Sequence, residues 1–346
     1  MKALPCLPAS ARATSREGGV SLVELMVAIT IGMFLILVVT TVFTNTSRSH
    51  AELQRNATQI ENGRYALEVL SEEIQMAGFW GSYATASDTP TLPLMCETAT
   101  ANLGWNVATL SIPVPIFGYD GAAVPVGETC LGDRHVPAAG PVPDVITVRR
   151  VSTVPLTTAA IDGSAFLQIS NCNTDPSATP FVLSEAAGDF TLNERNCTTR
   201  ENLRRYQTRT FYIATCSNCP SADGLPSLRV AELDGPSKTI RNATLVEGIE
   251  NLKIEYGLDN DFDGQVDLYS TCAGATPCDA AAWRNVVTVR LHVLSRASEA
   301  SPGHVDQKTY DLGAAGTAGP FNDGFKRHVY TAVVRAENPA GRRERP

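Results

Sequence analysis

Residues Val20 to Phe43, VSLVELMVAITIGMFLILVVTTVF, form a run of 24 residues in which Glu24 is the only charge. At 1.5 Å per residue a helix of that length spans about 36 Å, enough to cross the hydrocarbon core of a bilayer. Lys2, Arg12 and Arg16 precede the run. The positive-inside tendency therefore keeps the N-terminus in the cytoplasm and sends everything after Phe43 across the membrane. A carboxylate within such a span costs about 2.5 to 3.5 kcal/mol on insertion scales, and less near an interface, so Glu24 needs a compensating role.

The flanks of the run separate it from an ordinary secretory signal. Such a signal is cut after its apolar segment, behind small residues in an A-x-A pattern, and nothing of that kind follows Phe43. Gly18 and Gly19 instead stand immediately before the run, and Glu24 is the fifth residue after Gly19.

EGGVSLVELMVAITIGMFL resembles the class III, prepilin-type signal: a glycine, a hydrophobic residue, three more residues and a glutamate. The resemblance implies that a membrane prepilin peptidase cuts between Gly19 and Val20 and methylates the new amine of Val20. The family usually carries Phe or Met where this chain has Val20. It also implies a role for Glu24, which in pilins pairs with the N-terminal amine of a neighbouring subunit.

From Thr44 to Ala77 the pattern becomes amphipathic. Leu53, Ile60, Leu67 and Ile74 recur every seven residues, with Gly63, Leu70 and Ala77 beside them. Glu52 with Arg55, Glu61 with Arg64 and Arg64 with Glu68 stand at helix-supporting spacings. The spacing predicts that the membrane helix continues into the body and stops near Gly78. The stretch QIENGRYALEVLSEEIQMAGFWG resembles the corresponding segment of PilW-type minor pilins, with its ENGR-x-AL sequence and an AG-aromatic helix end. TRTFYIATCSNCPSADGLPSLRVAEL, NVVTVRLHVLSRAS and KRHVYTAVVRAENP are similar, more weakly, to the C-terminal part of the same family.

The expected organisation is a leader over 1–19, a transmembrane and filament-core helix over 20–43, an amphipathic helix over 44–78 and a β-rich, disulfide-containing domain over 79–346. The fold class is α+β, a long N-terminal helix packed on an antiparallel sheet, as in pilins. Strand-like runs fall at Val145–Val151, Ala165–Ile169, Thr208–Ala214, Ser227–Leu233, Leu252–Tyr256, Val286–Leu294 and His328–Val334, separated by turn-rich segments. Residues 84–143, rich in Pro and Gly, read as a long decorated loop pinned by Cys96 and Cys130.

Of nine cysteines, Cys6 lies in the leader-like segment, which leaves eight on the exported side, an even count that suggests disulfides. Eight cysteines allow 105 pairings. The short spacings favour Cys216 with Cys219 and Cys272 with Cys278, leaving Cys96, Cys130, Cys172 and Cys197 to pair among themselves. The alternative use of the two close pairs is a shared zinc ion.

The segment DNDFDGQVD places Asp259, Asp261, Asp263 and Asp267 at loop positions one, three, five and nine, with Gly264 at the turn and Gln265 offering a backbone carbonyl. That is the spacing of a calcium loop, although Ser270 stands where an EF-hand carries its bidentate glutamate. Four carboxylates within nine residues repel one another without a cation, and the expectation is a structural Ca2+ that orders the loop. A polar turn after LKIEYG is the plainer reading.

The sequence holds no HExxH, GxSxG or phosphate-binding GxxxxGK motif, and its five histidines are scattered, so no enzyme is expected. His292 reads as a sheet histidine and the terminal GRRERP as a solvated tail. A net charge of −8 argues against nucleic acid as the main partner. The resemblance implies a minor pilin acting in initiation or at the tip of a type IV pilus. Its expected partners are prepilin peptidase, other minor pilins, the major pilin and a tip adhesin. Its expected location is the inner membrane of a Gram-negative bacterium, single pass with the C-terminal domain in the periplasm, and then the pilus. The alternatives are a type II secretion pseudopilin and a calcium-dependent tip adhesin.

Overall fold

The computed structural model describes residues 19–84, 89–125, 127–137, 140–273 and 278–344. Residues 1–18, all but the last residue of the expected leader and including Lys2, Arg12, Arg16 and Gly18, lie outside them. The chain divides into two units, Met1–Gln54 and Arg55–Pro346.

One helix, α1, runs unbroken from Leu22 to Met76. In the first unit it carries the apolar run, of which none of the described side chains is buried within the protein. The threonines of the run turn their hydroxyls back onto helix carbonyls: Thr30 on Val27, Thr40 on Ile36 and Thr41 on Val38. An apolar surrounding offers these hydroxyls no other partner, and the helix satisfies its own backbone, as a membrane segment must.

In the second unit the remainder of α1 buries one stripe, Gln59, Gly63, Ala66, Leu70 and Ile74. This differs from the seven-residue series expected above, since Leu53 and Ile60 are exposed. The stripe follows the 3.6-residue period of a single straight helix packed on a sheet, whereas a strict repeat of seven drifts off that face. The sequence pattern also hid a polar member: Gln59 Nε2 donates to the carbonyls of Ser295 and Lys326 at 3.2 and 3.1 Å. Gly63 is there because a Cβ would stand 2.2 Å from the Tyr330 ring.

The strands, in chain order, are β1 (Ile116–Tyr119), β2 (Val145–Val151), β3 (Phe166–Ile169), β4 (Phe181–Ser184), β5 (Arg204–Ala214), β6 (Ser227–Asp234), β7 (Thr239–Glu247), β8 (Ile249–Leu258), β9 (Leu268–Ser270), β10 (Val286–Arg296), β11 (Tyr310–Asp311), β12 (Thr317–Ala318) and β13 (Arg327–Arg335). Two short helices are α2 (Ala280–Arg284) and α3 (Glu337–Arg343). One antiparallel sheet is centred on β5, which pairs with β2 along one edge and with β6 and the start of β3 along the other; β1, β4 and β7 lie outside these. The second sheet has the order β13-β10-β8-β9, again antiparallel throughout. The inner stripe of α1 and apolar residues of both sheets, among them Leu70, Ile74, Ile146, Phe211, Leu252 and Leu291, form one core. Fully burying a side chain of that size contributes about 1.5 to 3 kcal/mol.

Residues 84–143 are more integral than a decorated loop. They supply β1, and Met95, Leu103, Ile112, Val114, Ile116 and Phe117 are all buried. The fully buried Arg149 fastens this region: its guanidinium donates to the carbonyls of Pro93, Leu94 and Val114 and lies 4.4 Å from the Phe117 ring centroid. Carbonyls and an aromatic face replace the water that the cation lost. The four disulfides are Cys96–Cys130, Cys172–Cys197, Cys216–Cys219 and Cys272–Cys278. With these sulfurs oxidised, neither close pair offers thiolates to zinc.

The described part of the terminus, through Glu344, is likewise not a solvated tail. Asn338 Nδ2 donates to the carbonyl of Ala77 at 3.1 Å, and the Arg342 guanidinium donates to that of Gly78. The last carbonyls of a helix have no partner within it, and the polar side chains of α3 supply partners to the end of α1.

Candidate functional site: the helix start and the acidic loop

Two places bear on function. The first is the start of α1. Ser21 Oγ accepts from the Glu24 N–H at 3.1 Å, and Glu24 Oε2 accepts from the Ser21 N–H at 3.0 Å. This reciprocal pair is a capping box, which satisfies two of the donors left without partners at a helix N-terminus. The S-x-x-E signature stands in the sequence as Ser21 to Glu24, and the reading above, occupied with the glutamate as a lone membrane charge, passed over it. Glu24 therefore has a local partner within its own chain. A carboxylate has lone pairs beyond the one used here, so the cap leaves it able to accept from a further donor. Gly19 and Val20 are exposed immediately ahead of it.

The second is the loop between β8 and β9. The N–H groups of Phe262 and Gly264 donate to the two oxygens of Asp259 at 2.7 and 2.9 Å. Asp267 Oδ2 accepts from Asn260 and Asp261, Asp261 Oδ1 from Asp263, and Asp263 Oδ1 from Gln265. Gly264 has φ +85°, the left-handed turn that glycine accommodates without strain. Oxygens of Asp259, Asp261 and Asp267 lie within 4.8 Å of one another, while Asp263 is outside that group.

The charges in this loop are unequal. Burial works against the Asp259 carboxylate, but Arg343 Nη1 at 3.1 Å and the two backbone N–H groups outweigh it and hold the carboxyl below its ordinary range. For Asp261 the N–H of Asp263 favours the charged form. Burial and the neighbouring Asp263, Asp267 and Asp259 together outweigh that bond and push the carboxyl up. The loop thus carries an internal countercharge at one end and unrelieved repulsion at the other. Arg343, from the terminal segment, is the member that sequence reasoning missed, since nothing in an 84-residue separation marks the pair.

His292 sits in β10, with Nδ1 3.3 Å from Thr331 Oγ1 and Nε2 3.4 Å from Glu255. It is a sheet residue, as expected.

A membrane-length N-terminal helix with a capped glutamate near its start, continuing into an antiparallel β domain closed by disulfides, is the form of a type IV pilin-like protein. Residues 14–40 match the prokaryotic N-terminal methylation motif. Residues 210–338 match the model of type IV pilus-assembly protein W, and over that segment the chain is similar to the PilW family. Among solved structures, a type IV-like pilin from Thermus thermophilus aligns with 81% of this chain and 96% of its own at 11% identity and a TM-score of 0.35, a likeness too slight to bear on the fold. No curated protein matches the chain.

Proposed function

We propose that this protein is a membrane-anchored minor pilin, cut by prepilin peptidase between Gly19 and Val20, that acts in the initiation or tip complex of a type IV pilus. The observation that carries the reading is the joint presence of the methylation motif and the PilW segment in one chain. The apolar run first serves as the inner-membrane anchor, with the domain on the periplasmic side. It then becomes the part of the subunit that packs among other minor pilins and the major pilin. Glu24 keeps its cap to Ser21 and uses its remaining lone pairs for the methylated amine of a neighbour's first residue, which neutralises both charges in an apolar setting. The role is structural rather than catalytic. Deleting the gene tests it: loss of surface pili and twitching is expected, restored by the wild-type chain and poorly by a cleaved but assembly-deficient Glu24→Ala variant. Intact pili with lost protein secretion would transfer the chain to a type II pseudopilin role, and intact pili with lost attachment would favour a tip adhesin.

The acidic loop serves this assembly as a calcium-ordered segment. What supports it is the group of oxygens from Asp259, Asp261 and Asp267, together with the unrelieved repulsion on Asp261. A hard divalent cation suits such oxygen ligands. Calorimetric titration of the full chain in detergent should give one calcium site, lost in Asp261→Asn and Asp267→Asn. No heat above buffer from the wild type would remove the ion and leave a turn held by Arg343.

A further inference from the structure

Lys253 of β8 and Asp144, the residue that leads into β2, are each only 5% exposed, and Lys253 Nζ donates to Asp144 Oδ1. The two residues are 109 apart in the chain, and β2 and β8 belong to different sheets. Two backbone bonds clamp the carboxyl in place. The Asp144 N–H donates to the Leu252 carbonyl at 2.7 Å, and the Ile254 N–H donates to Asp144 Oδ2 at 2.9 Å. The flanking Val145, Ile146, Leu252 and Ile254 are at most 1% exposed, so the pair sits in an apolar surround.

A second carboxylate faces the same amine. Asp120, just past β1, has Oδ1 3.4 Å from Lys253 Nζ and a partly exposed side chain. The Val142 carbonyl accepts from that nitrogen as well, at 3.1 Å. Burial outweighs the charge and hydrogen bond of Lys253 and pushes the Asp144 carboxyl up to about 6, with Asp120 adding to the rise. An ion pair between two sheets requires neither a second carboxylate at the amine nor a carboxyl that readily takes up a proton. Attack of an amine on a carboxyl carbon uses both, one as proton carrier and the other as electrophile.

We propose that Lys253 and Asp144 condense to an intramolecular isopeptide bond, Nζ to Cγ, that staples the two sheets together. A proton passes from the Lys253 ammonium to Asp144 Oδ1 along the hydrogen bond already present, and the freed amine attacks Cγ. The negative charge that develops on Oδ2 is held by the Ile254 N–H. Asp120 takes the surplus proton from the nitrogen and hands it to Oδ1, which leaves as water on the side open to solvent. Oδ2 remains as the amide carbonyl, still bonded to Ile254, and Asp120 ends unchanged. A C–N bond forms, a C–O bond breaks, and no oxidant or cosubstrate is consumed. The product replaces two buried charges by a neutral amide and so removes the cost of keeping them from water. The bond does not depend on calcium or on where the subunit stands in a pilus.

Mass spectrometry of a tryptic digest of the full chain, purified in detergent and reduced, tests the bond. In the wild type Lys253 should resist cleavage and appear in a branched peptide joining residues 135–149 to 242–284, one water lighter than the sum of the two. Lys253→Arg keeps the charge but cannot form the amide, and should release residues 135–149 as a free peptide. Asp120→Asn should leave most of the chain unlinked, with near-ultraviolet circular dichroism reporting that the variant keeps its fold. A wild type that trypsin cuts at Lys253, with residues 135–149 released at full mass, would overturn the proposal whether or not the variants fold. Complete linkage in Asp120→Asn would overturn the part assigned to Asp120.

Discussion

The two units of this chain use the same apolar residue types in opposite ways. In the first, Val23, Ile29, Phe34 and Leu37 are among the many apolar side chains left exposed; in the second, Ile146, Phe211, Leu252 and Leu291 are almost wholly buried. Burial of apolar surface drives folding only where water is the alternative. The helical run is therefore stable only where lipid or neighbouring subunits replace water, whereas the β domain encloses its own core. The polar groups follow the same division. Those of the run close on the nearest turn of their own helix, as the threonines and the Ser21–Glu24 cap do. Those of the domain close across long separations, as Glu73 does on Arg150 and Arg209.

The largest test of this contrast places a charge in the run. Ile31→Arg adds about 2.5 to 3.5 kcal/mol to insertion, and the chain should leave the membrane fraction while its domain melts as before. Altered melting with intact membrane retention would show that the run belongs to the folded core. The converse is Ile146→Ala, which deletes buried volume and should destabilise the domain by about 3 kcal/mol in chemical denaturation while leaving membrane retention untouched.

Glu73 gives a third, smaller effect. Burial raises its carboxyl, but the hydrogen bond and charge of Arg150, with Arg209, outweigh this and hold it below the ordinary value. A depressed folded-state value means stability that is present above the unfolded value and lost as pH falls through the folded one. Glu73→Gln leaves two arginines without their shared partner and should cost about 2 kcal/mol at neutral pH. The gap from wild type should begin to shrink as pH falls through the unfolded-state value of about 4.3 and should close only once it has passed the lower folded-state value. A gap that is constant across that range would assign the loss to packing. Smallest of all, Ser21→Ala should remove about 1 kcal/mol of local helix stability, seen as faster amide exchange over the first turn with an unchanged domain melting point.

The same contrast explains what could be read in advance. The long helix and the strands β2, β6, β10 and β13 are legible because each is a continuous run with a strong local period, and Cys216 with Cys219 because the separation is three residues. The stripe that α1 buries was only partly legible: the eye follows leucine and isoleucine, while the packed face is built from Gln59 and Ala66 as well. β7, TIRNATLVE, carries too little alternation to stand out, since it is a sheet edge with mostly exposed side chains. The roles of Arg149, Asn338 and Arg343 could not be found in the sequence, because each acts on carbonyls or a carboxylate that only the tertiary fold brings near. Within the acidic loop the aspartates are obvious, but the arginine opposing Asp259 arrives from the other end of the domain.

On the reading proposed above, the apolar run begins the mature chain of a pilin and is not a plain signal anchor. The N-terminal mass of the protein recovered from membranes, with and without an active prepilin peptidase, tests it most directly. The account predicts a chain that starts at Val20 with a methylated amine when the peptidase is active and at Met1 when it is not. An intact Met1 start in both strains would contradict it.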